Sequence, residues 1–374
     1  MRSFKILSLL IVVAVCFSGC MSSTHLKDLM VVEGIGIDKD SDSINICVQT
    51  LKADNLSAGR APSQNMTFNT DETGKTIFDA ISNLSNNLSK KVFFGHNKLI
   101  VFSSEICKSD LKTYLDYLLR STESRVDVAL CIAKDKAKDV IESNENESHV
   151  PSENIATLLK NGQDAGTSAY VTVNEVLNLH TDKTSDYYLP VVEKSENRDN
   201  VTTTGLGLFC DGALVYITDS DQTMGLLMIR DKIDTCSLEL KDERLGKIGV
   251  ELYNQNVKNS TYIKNGNVVF KTQLTCEVMI NEIEKGLISE LNADVIDTIC
   301  KEVEEKISSL CQKAFKACQY NDSDCVRVGE YLAKDCPSSY DTLSDEWNMY
   351  FKTVEYEPHI SVSLKEISNN TEVN

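Results

Sequence analysis

The side chains of this chain that could do chemistry are its 13 cysteines, its five histidines and an excess of carboxylates. Cysteine in that number suggests disulfides or thiolate metal sites, and spacing decides between them. No CxxC occurs. Cys311, Cys318 and Cys325 recur every seven residues, which on a continuous helix is nearly two turns and about 10.5 Å per step. Cα atoms joined by a disulfide lie within about 7 Å, so neighbours in this series can neither pair nor share one tetrahedral zinc. They read as small apolar residues on a buried stripe. Cys325 and Cys336 stay open as a pair if the chain turns between them.

Asp38, Asp40 and Asp42 have the beat of a calcium loop, but Ser43 and Gln49 stand where that loop needs Gly and Glu. A solvated turn between strands is the expected reading. His25, His96, His149, His180 and His359 are scattered, with no pair at metal-ligand spacing. There is no GxSxG, no Walker A loop and no strand-to-helix GxGxxG; Gly205-Leu206-Gly207 lies in a strand ahead of a hairpin, where glycine serves a twist or bulge. Nothing in the sequence demands an enzyme, and no catalytic residue, metal or bound cofactor is expected. With 56 acidic against 38 basic residues, a balance of −18, a surface that tracks phosphates is disfavoured and no nucleic-acid partner is expected.

One cysteine does have a chemical context. Arg2 and Lys5 precede an apolar run from Ile6 to Phe17 that ends in Phe17-Ser18-Gly19-Cys20. A membrane-spanning helix needs roughly 20 apolar residues, so this run is a secretory signal, not a span. The residues before Cys20 resemble a lipobox, although Phe17 departs from the commoner Leu. Residues 1–19 are therefore expected to be removed, leaving Cys20 to carry diacylglycerol and N-acyl lipid, palmitate among the usual chains. Each buried CH₂ contributes about 0.8 kcal/mol, so two or three chains hold a domain on a membrane durably. Cleavage removes Arg2 and Lys5 and no acid, taking the balance from −18 to −20. Such a domain should be repelled by anionic headgroups and oriented by protein partners.

These side chains need elements to position them. Val31–Ile37 and Ser43–Leu51 read as paired strands, residues 53–70 as a loop, and residues 74–90 as an amphipathic helix with Ile77, Ile81, Leu84 and Leu88 on one stripe. A strand follows at Lys98–Ser103, then a helix capped by Ser109, then a strand on which Val126, Val128, Leu130 and Ile132 alternate. This alternation predicts a mixed α/β region with some parallel pairing. From Ile141 the text turns more helical, and the polar stretch Ser195–Asn200 marks a domain boundary. Beyond it, Asp211-Gly212 and Asn265-Gly266 are type I′ hairpin signals among strands expected to be antiparallel. A helical pattern of roughly 30 residues follows Gly286, about 45 Å long. The prediction is a multidomain α+β protein: a signal at 1–19, a first domain over 20–200 and a second over 201–374.

The ordered series of motifs resembles the C subunits of nutrient germinant receptors of bacterial spores, the Ger(x)C or GerAC-like lipoproteins. It includes Val32-Glu33-Gly34-Ile35-Gly36-Ile37-Asp38, Ile46-Cys47-Val48-Gln49, the Thr73-Gly74-Lys75-Thr76 helix start and Phe94-Gly95-His96-Asn97-Lys98. Leu115–Arg120, Tyr188-Leu189-Pro190, the hairpin from Gly205 to Val215, and Trp347 with Tyr350-Phe351 complete it. The resemblance makes Gly36, Asp38, His96, Arg120, Pro190, Gly205 and Trp347 family-motif positions with a structural or partner-contact role. Cys210 departs from it, standing where a basic or polar residue is more familiar, and the cysteine load suggests a reducing or anaerobic setting. What it implies is a lipoprotein required for spore germination, on the extracytoplasmic face of the spore inner membrane or cell membrane, beside two integral membrane subunits. The alternative is a solute-binding lipoprotein that passes a nutrient to a permease, which requires two similar lobes around a cleft.

Overall fold

The structure, a computed structural model, describes residues 28–52, 66–120, 125–143, 150–180, 184–195, 200–285 and 292–367. The expected signal, Cys20, His25 and His149 lie outside them. β1 (Leu29–Asp40) and β2 (Ser43–Leu51) pair antiparallel, as their alternation predicts. β3 (Thr67–Gly74) adds to β2, so the expected loop does not extend to residue 70. An edge strand that is partly exposed along most of its length carries little hydrophobic alternation, which hid it.

After α1 (Ile77–Asn87), whose amide at Asp79 is capped by Thr76 Oγ1, come β4 (Lys91–Phe93), β5 (Leu99–Ser103), α2 (Ser104–Cys107) and α3 (Lys112–Arg120). Asp110 caps α3 by accepting from Lys112 N at 2.9 Å. Ser109, the expected cap, instead donates to Ile106 O at the end of α2. Then follow β6 (Ala129–Ala133), α4 (Ala137–Ile141), α5 (Pro151–Asp164), β7 (Val171–Thr172), α6 (Val173–His180), β8 (Tyr188–Lys194), β9 (Val201–Cys210) and β10 (Ala213–Ile217).

Among the described residues these strands form one sheet in the order β10-β9-β8-β6-β5-β1-β2-β3, with β4 beside β1 and β7 beside β6. β1, β5, β6 and β8 are mutually parallel neighbours, and helices cover both faces, so β5 and β6 are buried throughout. One face is built from small side chains: Cys47, Ala129, Cys131 and Ala133 pack with Ala137, Val140 and Ile141 of α4 and Ile155 of α5. The glycines of β1 extend that face. A Cβ on Gly34 would lie 1.9 Å from Ser152 Oγ, and one on Gly36 would lie 3.1 Å from the carbonyl carbon of Ala137, so the two helices rest directly on backbone. Gly34→Ala is expected to destabilise the chain by about 1–3 kcal/mol, the usual cost of overpacking, read as a lower urea midpoint.

The boundary expected at residue 200 falls between two paired strands of one sheet. Ser195 N donates to Asn200 O at 2.9 Å, and β8 pairs antiparallel with β9, so the polar stretch is a connection within one sheet. β9 and β10 turn at Asp211-Gly212, with φ of 49° and 82° as a type I′ turn requires, and the sheet ends at Ile217.

α7 (Ser220–Ile229) opens with a capping box between Asp219 and Gln222. β11 (Cys236–Asp242), β12 (Gly246–Lys264) and β13 (Asn267–Ile283) form an antiparallel meander. The long helix is α8 (Ala293–Tyr320), which buries Ile299, Val303, Ile307, Leu310, Ala314 and Ala317 as its stripe predicts. α9 (Val328–Asp335), α10 (Pro337–Leu343) and α11 (Trp347–Phe351) follow, and β14 (Glu355–Ile367) closes the chain. β14 pairs with β13 in parallel, against the antiparallel expectation. The helices from α8 to α11 form a long crossover that returns the chain to the start of β13, and such a crossover delivers a parallel strand. The architecture is α+β and multidomain, as expected.

Candidate functional site: the junction between the two halves

The second half meets the first sheet through the turn after α8, and its centre is Asp324, 1% exposed. Its carboxylate accepts from Val328 N and Gly329 N, each at 2.8 Å, and from Trp347 Nε1 at 3.0 Å. It thus caps α9 and fixes the indole of α11. Burial pushes its pKa up to about 6, opposed by these three hydrogen bonds. Asp186, just before β8, accepts from Asp324 N at 2.9 Å and from Asp211 N at 3.3 Å. Burial, reinforced by the charge of Asp324, pushes Asp186 up to about 7. Ser323 Oγ donates to Phe209 O at 2.5 Å and Cys325 Sγ to Tyr187 O at 3.1 Å, while the Tyr187 and Phe209 rings stack at 4.6 Å.

The described cysteines are all free, Cys325 and Cys336 included. The seven-residue series is not one helical stripe: α8 ends at Tyr320, and Cys325 enters the core through the turn that Ser323 N closes on Cys318 O. Burial pushes the thiols of the buried cysteines up, Cys47 and Cys311 to about 12, so these stay protonated and act as packing groups. Among the described residues no three His, Cys, Asp or Glu side chains gather as a metal site.

A second polar network lies under α4 and α5. Asp38, 5% exposed, accepts from Ala137 N and Lys138 N at 2.8 and 2.9 Å and so caps α4. Burial raises its pKa against those two amides. This corrects the expectation of a solvated turn, which holds for Asp40 and Asp42 alone. Gly34, Gly36 and Asp38 share one strand face by their spacing of two. Beside them, buried Gln49 accepts from Ser152 N and Oγ at 3.0 and 2.8 Å and donates to Ile141 O at 2.9 Å.

Residues 22–194 match the family profile described as "Spore germination protein N-terminal domain", and residues 204–368 match "Spore germination B3/ GerAC like, C-terminal". The chain belongs to the Ger(x)C, or GerAC-like, family. It is 22% identical over 389 residues to spore germination protein KC of Bacillus subtilis (strain 168), covering 96% of this chain and 92% of that protein. Spore germination protein A3 of the same organism is 23% identical over 271 residues, covering 71% and 70%. The crystal structure of the GerBC protein superposes with a TM-score of 0.62 at 16% identity, over 89% of this chain and 97% of that one, and so shares its fold.

The GerAC-like motif positions do not converge on one site. Gly36 and Asp38 seat α4. His96, half exposed, holds Glu33 at 2.6 Å near the start of β5, with the Glu33 carboxyl pushed up by burial. Pro190 faces Leu206, whose amide is taken by Thr218 Oγ1 at 2.8 Å, and Gly205 (φ 153°) leaves room for Thr218 O, 2.2 Å from where its Cβ would be. Trp347 belongs to the junction. Arg120 ends α3, and its side chain lies outside the described set. Asp186, Asp324 and Ser152 escaped the sequence reading. Asp324 sits in the polar string Asn321-Asp322-Ser323-Asp324, which looks like a turn, and its only signal is its place just ahead of a helix start.

Proposed function

We propose that this chain is the lipid-anchored C subunit of a nutrient germinant receptor. In this reading it sits on the extracytoplasmic face of the spore inner membrane or cell membrane through lipid on Cys20, assembles with two integral membrane subunits and is required for germination. The observation that carries it is the pair of GerAC-like segments that together occupy residues 22–194 and 204–368 directly after the lipobox. Among the described residues no helix is long and apolar enough to cross a membrane. The junction favours assembly over capture of a solute. A solute-binding protein moves two lobes about a cleft, whereas here a strand pair crosses from one family segment to the other and buried carboxylates pin the contact.

Cys20→Ala is expected to release the chain from the membrane fraction and to abolish or strongly slow germination in response to nutrient. Retention of the variant in membranes would refute the anchor. Mild detergent extraction of wild-type spores should bring two membrane proteins down with the chain; recovery of the chain alone would count against assembly. Calorimetry with amino acids and sugars separates the alternative, since saturable heat would favour solute capture.

A further inference from the structure

If Cys20 carries lipid, the chain from Cys20 to Leu29 spans at most about 30 Å even when fully extended, so the sheet end at which β1 begins stays close to the bilayer. Strand register defines what else lies there. Leu29 is opposite Lys91, Gly34 opposite Leu99, and Leu99 opposite Ala129. The segments entering those strands bring Lys90, Lys91, His96, Lys98 and Arg125 to the same end. A recess opens there, lined by Lys98, Arg125, Asp127, Glu153, Lys160 and Tyr170. Arg125 is engaged by Asp127 at 2.8 Å in a two-bond pair. Lys98 and Lys160 make no ion pair among the described residues. Val126, 47% exposed, stands beside the recess. The acids at this end include Asp28, Glu33, Asp127, Glu153 and Glu175, of which Glu33, Asp127 and Glu175 are paired, the last with Lys232.

We propose that this end of the first sheet rests on anionic lipid headgroups, with Lys98 and Lys160 receiving headgroup phosphates at the mouth of the recess. The proposal rests on the reading of Cys20 as the lipid site. It revises the expectation that headgroups repel the whole domain: charges beyond a Debye length of about 8–10 Å are screened, so the acids of the second half do not oppose a local basic contact. Tethering keeps the recess at a high effective concentration of headgroups, so a contact too weak to bind unaided persists.

The test uses the full lipidated chain on vesicles of phosphatidylcholine, with and without about one-third phosphatidylglycerol. On the anionic vesicles, backbone amides of Phe94–Lys98 and Arg125–Val128 should exchange hydrogen about tenfold more slowly than on the neutral ones. High salt should erase the difference. Lys98→Glu combined with Lys160→Glu should erase it too, while the chain still floats with the vesicles and melts as the wild type does. Equal exchange on the two vesicle types, or protection that survives the double reversal, would overturn the docking face while leaving the anchor standing. A wild-type chain that floats with neither vesicle would overturn the anchor and this proposal together.

Discussion

Asp324→Ala is expected to destabilise the chain by about 3–5 kcal/mol, because each buried donor left without an acceptor costs about 1–3 kcal/mol and the Asp324 carboxylate serves three of them. The lost groups belong to different elements: two amides open α9 and the indole belongs to α11. The single Trp of the chain is itself one of the partners, so its fluorescence in a urea titration reports the junction directly. Asp324→Asn keeps the shape but turns an NH₂ toward a donor, and should lie between wild type and Ala. An Ala variant with an unchanged urea midpoint would show that the junction is not a determinant of stability.

The junction also has a pH dependence of defined sign. Asp324 and Asp186 hold protons more tightly in the folded chain, about 6 and about 7, than an ordinary Asp near 3.8. Their contribution is therefore fully present below about pH 4 and is lost as pH rises through about 6 to 7. Asp186→Asn should remove part of that loss, so its stability relative to wild type should improve between about pH 5 and about pH 7.5. A constant difference between the two proteins across that range would contradict the assignment.

Gly225→Ala is expected to cost about 3 kcal/mol or more, at or above the usual ceiling for overpacking, because the obstacle is backbone. A Cβ there would lie 2.1 Å from Leu310 O and 2.5 Å from its carbonyl carbon, where α7 crosses α8. Neither helix can yield by changing a rotamer. α7 buries Leu226 to Ile229 completely, and Asn259 Nδ2 fastens Ile229 O to β12 at 2.8 Å, so separating the helices strains the second sheet as well. Gly249→Ala is the control, since its nearest neighbour, Glu282 Cβ, is 3.5 Å away. Equal losses at the two positions would mean that the helix crossing is not the source of the cost, since the entropy of the unfolded chain favours Ala over Gly at both.

Local periodicity made most of the elements legible. The paired strands β1 and β2, the helices α1 and α8 and the two Gly-containing hairpin turns follow from spacing alone. What escaped is non-local. β8 contains Pro190 in a short apolar run between helical stretches, and its neighbours β6 and β9 are set by the sheet as a whole. The parallel pairing of β14 depends on where four helices return the chain. Asp38 and Asp324 look like turn acids in the sequence, and only the fold shows that each closes the start of a helix. The resemblance to a lipobox and the family motifs carried the functional reading, whereas the junction carboxylates fall outside every motif.

The hairpin β9–β10 has a kinetic consequence. As the chain emerges from its amino end, β8 has no outer neighbour until the residues after Val201 appear, and the buried Tyr188–Val192 run waits as an open apolar edge. The central pairs of the sheet are parallel and join segments far apart in sequence, which makes assembly slow and leaves such edges exposed meanwhile. Synthesis therefore leaves a partly built sheet for a time, and its completion depends on a second segment that arrives later.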